Sequence, residues 1–424
     1  MTLKEILIAG KLTVSEGGGG GGGGGGTSDL DNVALNDVAF IDYNGEVVYT
    51  YNAAEFLSMN AMPNNPSHDG LVAQGWNWSL ADAKEYVQNN GMLLIGQNYT
   101  TSDGQTKAYL SVTSLTVEAP VGIRIETTVK NGVTIHWGDG STTVTDANAN
   151  ASKEYQHTYS APGDYVISIE CTSGKYSIGG TGENDRAFYT ENNMTCIHRG
   201  DFKKIHLGDN IARVYQHAFN TLTELQELSL SAGIGEFGTN RSDCFHSCRK
   251  LQALVYPPNA TWHAGYTTIN NSFNLRFVSV PKDGIANMSD NNLFYIRMIT
   301  LPPVSTLPGG IGGFAFRLEK ISVPGTYTSI PSNLIRETDI LEKITIPASV
   351  TSVPTSTLTP ARNIKEYHFK PTTPPALASS SNIFTVNSGV RIFVPYSADH
   401  SILNAYKTAT NWTNYASYIV EEPQ

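Results

Sequence analysis

From residue 202 to residue 369 the apolar positions recur in one phrase. An aliphatic or aromatic residue is followed by two variable residues and then by two apolar residues one apart, often closed by proline. The phrase reads Phe202-x-x-Ile205-x-Leu207, Leu225-x-x-Leu228-x-Leu230, Leu251-x-x-Leu254-x-Tyr256-Pro257 and Leu275-x-x-Val278-x-Val280-Pro281. It continues as Ile296-x-x-Ile299-x-Leu301-Pro302, Leu318-x-x-Ile321-x-Val323-Pro324, Leu341-x-x-Ile344-x-Ile346-Pro347 and Ile364-x-x-Tyr367-x-Phe369. The period is about 23 residues, one supersecondary unit that cannot bury its apolar face without a neighbour, so the units must stack into a solenoid. Within each short strand the patterned residues point inward and the intervening ones outward. The outward set begins Lys204, His206, Glu227, Ser229, Ala253 and Val255, and ends Lys343, Thr345, Glu366 and His368. Val255, Phe277 and Met298 make an apolar patch in the middle of this face, which marks a contact or a place covered by a loop or subunit. Lys320 and Lys343 stand one coil apart and suit an acidic partner; the alternative is that both are simply solvated.

Ahead of several of these leucines stand Ala218-Phe219, Cys244-Phe245-His246-Ser247-Cys248-Arg249-Lys250-Leu251 and Ala315-Phe316-Arg317-Leu318. Together with the proline after the strand they resemble the BspA-like leucine-rich repeats of bacterial surface proteins. The tail fits the same family's closing strand and helix, with Val390-Arg-Ile-Phe-Val-Pro395, then Leu403 to Lys407 and Asn411 to Ala416. The resemblance implies a leucine-rich-repeat solenoid over 201–371 and a strand-helix cap over 372–424. The same register explains Cys244 and Cys248. They occupy the places of Ala218 and Leu222 and belong in the core, so the Cys-x-x-x-Cys spacing around His246 is not read as a metal site.

The first half of the chain has a different rhythm. Val38 to Tyr43 and Glu46 to Tyr51 alternate around Asn44-Gly45, a strong hairpin signal. A helix over 80–89 follows, with Ser79 as N-cap and Asn90-Gly91 as its stop, then a strand at Met92 to Ile95 and another at Lys107 to Val112. This is a small α+β adaptor over 36–110. Trp76 and Trp78 lie two apart on an extended segment, an arrangement for a sugar platform or, more commonly, a packed lid. From 111 to 175 strand patterns at 115–119, 123–127, 133–137 and 165–169 describe an all-β unit. Its turns, Trp137-Gly-Asp-Gly140 and His157-Thr-Tyr-Ser-Ala-Pro-Gly-Asp-Tyr165, resemble the polycystic-kidney-disease (PKD) type of immunoglobulin-like β-sandwich. That resemblance makes Asp139 a turn acceptor. Residues 176–200 are read as a linker or N-cap. The fold class is therefore multidomain and mainly β.

Ten of the 39 glycines form one run, Gly17–Gly26. It opens a hinge over 17–35, a flexible tether or a packed bundle between several chains. Before it, residues 1–16 hold a short amphipathic anchor with Leu3, Ile6 and Leu7 on one face. The N-terminus lacks the continuous apolar region of a secretory signal, and no stretch is long and apolar enough for a membrane helix. Charged residues are only 16% of the 424, and the net charge is −10. An acidic balance argues against nucleic-acid binding. Four cysteines in a chain of this length are no disulfide framework. There is no G-x-S-x-G elbow, phosphate loop or H-E-x-x-H helix, so no enzyme, cofactor or metal is expected.

The order of anchor, hinge, adaptor, sandwich and capped repeats reads as an attachment device. The polyglycine run and low-charge surface are similar to phage fibres. The expectation is a virion fibre or receptor-binding protein, joined to other virion structural proteins through its N-terminus, as a homotrimer if it oligomerises. Its repeats would meet a glycan or protein on a host cell. A secreted bacterial adhesin is the first alternative and a carbohydrate-active enzyme the second.

Overall fold

In the computed structural model the described residues are 33–117, 119–127, 129, 131–145, 152–182, 185–190, 201–237, 244–262, 269, 272–282, 295–301, 315–330, 334–335, 337–358, 360–379, 381 and 383–423. The anchor residues Leu3, Ile6 and Leu7 and the glycine run lie outside them.

The hairpin forms as its turn chemistry dictates. Strand β1 (Val38–Ile41) pairs antiparallel with β2 (Val47–Tyr51), and Gly45 supplies the positive φ of 90° that the turn requires. A short helix α1 (Ala53–Ser58) starts from a capping box made by Asn52 and Glu55, followed by β3 (Leu71–Trp76). Helix α2 (Leu80–Asn90) is capped by the Ser79 hydroxyl, which accepts from the Asp82 N–H, and ends at Gly91 in the left-handed region. Strand β4 (Leu93–Thr101) then runs parallel to β1 and antiparallel to β3, giving a sheet in the order β2-β1-β4-β3. All nine residues of β4 are buried. A strand buried on both faces has something packed against each of them.

The next strands are β5 (Thr106–Val112), β6 (Pro120–Thr127), β7 (Val133–His136), β8 (Thr142–Val144), β9 (Lys153–Thr158), β10 (Gly163–Cys171), β11 (Tyr176–Ile178) and β12 (Phe188–Thr190). They fall into two sheets, β5-β10-β7-β8 and β12-β6-β11 with β9 on β6, which make a sandwich, and its two motif turns lock each other. The Asp139 carboxylate accepts from the Ser141 N–H (2.9 Å) and hydroxyl (2.6 Å) and meets His157 Nε2 at 2.7 Å. His157 stacks on Trp137, and the Tyr159 hydroxyl donates to the Trp137 carbonyl. Partial burial alone would raise the Asp139 pKa, but the Ser141 and His157 contacts outweigh it and hold the carboxyl at about 2. Asp139 is thus a turn acceptor. The segment 115–119 is not a strand: residues 114–117 form a turn, and Leu115 is 89% exposed.

The solenoid strands are β13 (Phe202–His206), β14 (Ile211–Val214), β15 (Glu227–Ser229), β16 (Glu236–Phe237), β17 (Ala253–Val255), β18 (Thr261–Trp262), β19 (Phe277–Ser279), β20 (Met298–Thr300) and β21 (Lys320–Ser322). They continue as β22 (Lys343–Ile346), β23 (Ser352–Val353), β24 (Glu366–Phe369), β25 (Ala376–Leu377) and β26 (Arg391–Val394), before helix α3 (Ser401–Thr408) and β27 (Ile419–Glu421). Phe188, Phe219 and Phe245 stack down the axis, one per coil. Two residues after the aromatic, Thr221 and Ser247 take the same left-handed turn. Cys244 and Cys248 are fully buried, and their thiols donate to the carbonyls of Tyr215 and Phe219 one coil back. At the far end Tyr406 and Trp412 close the core against Phe369.

The modules are not beads on a string. Strand β5 pairs antiparallel with the first solenoid strand β13, which pairs parallel with β15, so one sandwich sheet runs directly into the solenoid sheet. On the other side β11 pairs parallel with β14. A boundary at 110/111 cuts through β5, and the segment 176–200 contributes β11 and β12 to the second sheet. The sandwich is the solenoid's N-terminal cap, and one hydrophobic core runs from Ala108 to Ile419. The residues from Ala34 onward form a single compact unit.

Candidate functional site

The outward face of the solenoid sheet is where coiled repeats offer side chains in rows, and here it is divided in two. Over its centre lies the α+β module. Strand β4 crosses β13, β15, β17, β19 and β20. Leu94, Ala39, Ile41, Leu35 and Met92 pack against Ala253, Val255, Phe277 and Met298, all of them buried. Burying the three large solenoid side chains stabilises this contact by about 1.5–3 kcal/mol each. The apolar patch that the repeat pattern singles out is therefore covered by the chain's own first module. Gly96 sits where β4 comes closest: a Cβ there would lie 2.5 Å from Val255 Cγ1 and 2.9 Å from Ser279 Cβ.

Polar groups complete the joint. The Leu94 N–H donates to Thr300 Oγ1 (2.8 Å), and the Ser279 hydroxyl donates to the Leu94 carbonyl (3.1 Å). Asn98 Nδ2 donates to the Leu230 carbonyl, and Asn77 Nδ2 donates to Ser279 Oγ and the Tyr256 carbonyl. The small residues Ser229, Ser279, Thr300 and Ser322 recur on the same column, and this is what admits the crossing strand. Trp76 and Trp78 are both buried. The Trp76 indole N–H donates to the Pro63 carbonyl inside the module, and that of Trp78 donates across the joint to the Val280 carbonyl. Neither ring is displayed as a platform.

Beyond β21 no described strand of the module crosses the face. On β22, β24 and β26 the outward residues are Lys343 and Thr345, Glu366 and His368, Arg391 and Phe393. Lys343 is exposed and stands opposite Glu366, which stands opposite Arg391. Lys343 and Arg391 are thus about 10 Å apart, two strand spacings. Glu366 forms no ion pair with either: its carboxylate meets His368 Nε2 at 2.9 Å, while His368 Nδ1 meets Glu422 at 2.8 Å. Lys370 also pairs with Glu422 (2.7 Å), and Phe393 stacks flat on His368 at 4.6 Å. Lys343 and Arg391 have no ion pair among the described residues. Lys320, at the rim, is half-buried and 4.0 Å from Asp37 of the module. Of the two lysines read from the sequence, Lys343 alone stands clear. Arg391 and Phe393 were the missing members, although they continue the same outward alternation one coil further, in the segment read only as a cap; His368 already stood in the outward set.

The described residues hold no group of three or more His, Cys, Asp or Glu arranged to take a metal ion, and among them no helix is long and apolar enough to cross a membrane.

A stack of single-strand coils with a continuous core and a strand-helix closure is a leucine-rich-repeat solenoid. Residues 196–300 and 310–386 match the BspA type leucine rich repeat region in six copies. Among solved structures, a leucine-rich repeat protein from Bacteroides ovatus is similar at 13% identity and a TM-score of 0.33, over 53% of this chain and 68% of that one. The pneumococcal vaccine antigen PcpA is similar at 15% identity and a TM-score of 0.26, over 51% and 67%. A leucine rich cell surface protein from Faecalibacterium prausnitzii is similar at 12% and 0.22, over 56% and 94%. No curated protein matches the sequence.

Proposed function

We propose that the chain is a non-enzymatic adhesion protein of a bacteriophage particle, docking by its N-terminal segment and presenting the open wing of its solenoid sheet to a host cell. The observation that carries this reading is the division of the sheet. Its apolar centre is used up inside the chain, and its uncovered end holds two cations, Lys343 and Arg391, with no ion-pair partners among the described residues of a protein of net charge −10. Such a surface complements an acidic cell-surface glycan or protein. The polyglycine run and the low charge of the sequence support placement in a virion. In this reading the sandwich, whose Trp-Gly-Asp-Gly turn carries the resemblance to PKD modules, stiffens the start of the solenoid.

The BspA-type repeats favour a second reading, a secreted bacterial surface adhesin using the same wing. Immunoblots of purified particles and of cell-envelope fractions separate the two. Protein in particles supports the first, and protein confined to envelopes overturns it. The wing itself is tested with the labelled full chain on bacterial cells that the unsubstituted chain binds, by flow cytometry. The double variant K343E/R391E is expected to lose at least about tenfold in binding, and undiminished binding would remove the wing from the proposal.

A further inference from the structure

Away from the wing's charged column, a cleft of about 400 Å³ opens between helix α2 and the turns of the solenoid. This is within the size range of small-ligand sites. One wall is a stripe of the helix, Asp82, Glu85, Tyr86 and Asn89, at spacings that share a face. The other is built from the turns that follow successive strands, with Pro324 and Gly325 after β21 and Pro347 to Ser349 after β22. Trp78, itself buried, also lines it.

The walls are fixed without any ligand. The Gly325 N–H donates to Asn90 Oδ1 (2.7 Å), and Asn90 Nδ2 donates to the Tyr86 carbonyl (2.8 Å). The Tyr86 hydroxyl donates to the Leu301 carbonyl (3.2 Å) and lies 3.1 Å from Ser322 Oγ. The Trp78 indole N–H is committed to Val280, so the part of its ring that reaches the cleft is apolar. At the mouth the Lys282 ammonium lies between the Asp82 and Glu85 carboxylates. The Asn89 amide is exposed and has no hydrogen-bond partner among the described residues.

We propose that this cleft is a saccharide site that takes a short neutral oligosaccharide. Pro324, Pro347 and the small part of the Trp78 ring that reaches the cleft offer apolar surface to the C–H groups of a pyranose, while Glu85 and the Ser349 oxygen, whose own hydrogen goes to the Tyr327 carbonyl (2.7 Å), accept from its hydroxyls and the Asn89 amide donates and accepts. An anionic ligand would meet two carboxylates against one ammonium, and a cationic one would compete with Lys282. An extended peptide would seek a free strand edge, whereas helix side chains and turns line this cleft. The site does not depend on the charged column of the wing.

The test uses saturation-transfer NMR on the full chain with cellobiose, maltose and N,N′-diacetylchitobiose at millimolar concentration. At least one disaccharide is expected to receive transfer on its C–H face. Ser349→Trp, which fills the cleft, should abolish that transfer. Asn89→Ala, a surface change that leaves the fold intact, should weaken it about tenfold and carries the test if the tryptophan variant fails to fold. K343E/R391E should leave it unchanged, which separates this site from the cell-binding wing. Absence of transfer to all three sugars, or transfer in both cleft variants equal to that of the unsubstituted chain, overturns the proposal.

Discussion

The centre and the C-terminal wing of the solenoid sheet share one period, one inward pattern and one strand geometry, yet they have opposite outward faces. In the centre the outward residues are Ala253, Val255, Phe277 and Met298, and they are buried under β4. On the wing the same positions hold Lys343, Glu366 and Arg391, and Lys343 is exposed. The inward pattern builds the fold and says nothing of what the face is for. That is decided by the intervening residues, where a run of apolar and small side chains marks an internal joint and a run of charges marks an available surface.

The largest expected effect lies in the centre. Phe277→Ala would leave a cavity beneath β4 and should cost about 4 kcal/mol in chemical denaturation, whereas Thr345→Ala, on the open wing, should cost less than about 0.5 kcal/mol. Equal losses would erase the distinction between the two regions. Gly96→Val drives a side chain into Val255 and should cost about 3 kcal/mol by the same measurement.

A pH effect of similar size comes from His206, buried where the module meets β13. Burial lowers its pKa to about 4, with Lys204 and His68 adding to the shift and Glu227 opposing it, while Tyr43 and Tyr109 pack against the ring. The folded state holds the imidazole neutral, so below the usual value of 6.5 the unfolded chain takes up the proton first. Stability is full above about pH 6.5 and falls as the pH drops toward 4, by up to about 3 kcal/mol. His206→Phe should flatten that part of the stability-against-pH curve; an unchanged slope would assign it to other groups. The smallest stability effect belongs to the wing, where K343E/R391E should shift unfolding by less than about 0.5 kcal/mol while cell binding falls.

The repeats were legible because every coil must bury the same three positions. The hairpin and helix α2 were legible because Asn44-Gly45, Ser79 and Gly91 each supply local turn or cap chemistry. Strand β4 was legible only to Ile95. Its continuation, Gly96 to Thr101, lacks an apolar pattern because Gly96 must be small against Val255, and Asn98 spends its polarity on the Leu230 carbonyl. A strand whose partners lie more than a hundred residues away carries no local signal of them. Leu115 misled for the complementary reason, as a β-pattern residue that the fold leaves exposed in a turn. For the candidate surface, Lys343 was visible and Arg391 was not, because the last coil was read as a closure and its outward column was passed over.

The division of the sheet is tested most directly by placing one cysteine on each half of the same outward column, Ser279→Cys and Thr345→Cys, with Cys171 and Cys196 replaced by serine. Maleimide labelling of the native chain should modify Cys at 345 rapidly and leave Cys at 279 protected until the protein is unfolded. Labelling of both at the same rate under native conditions would mean that the module does not cover the centre of the sheet, and the assignment of the open wing as the binding surface would fall with it.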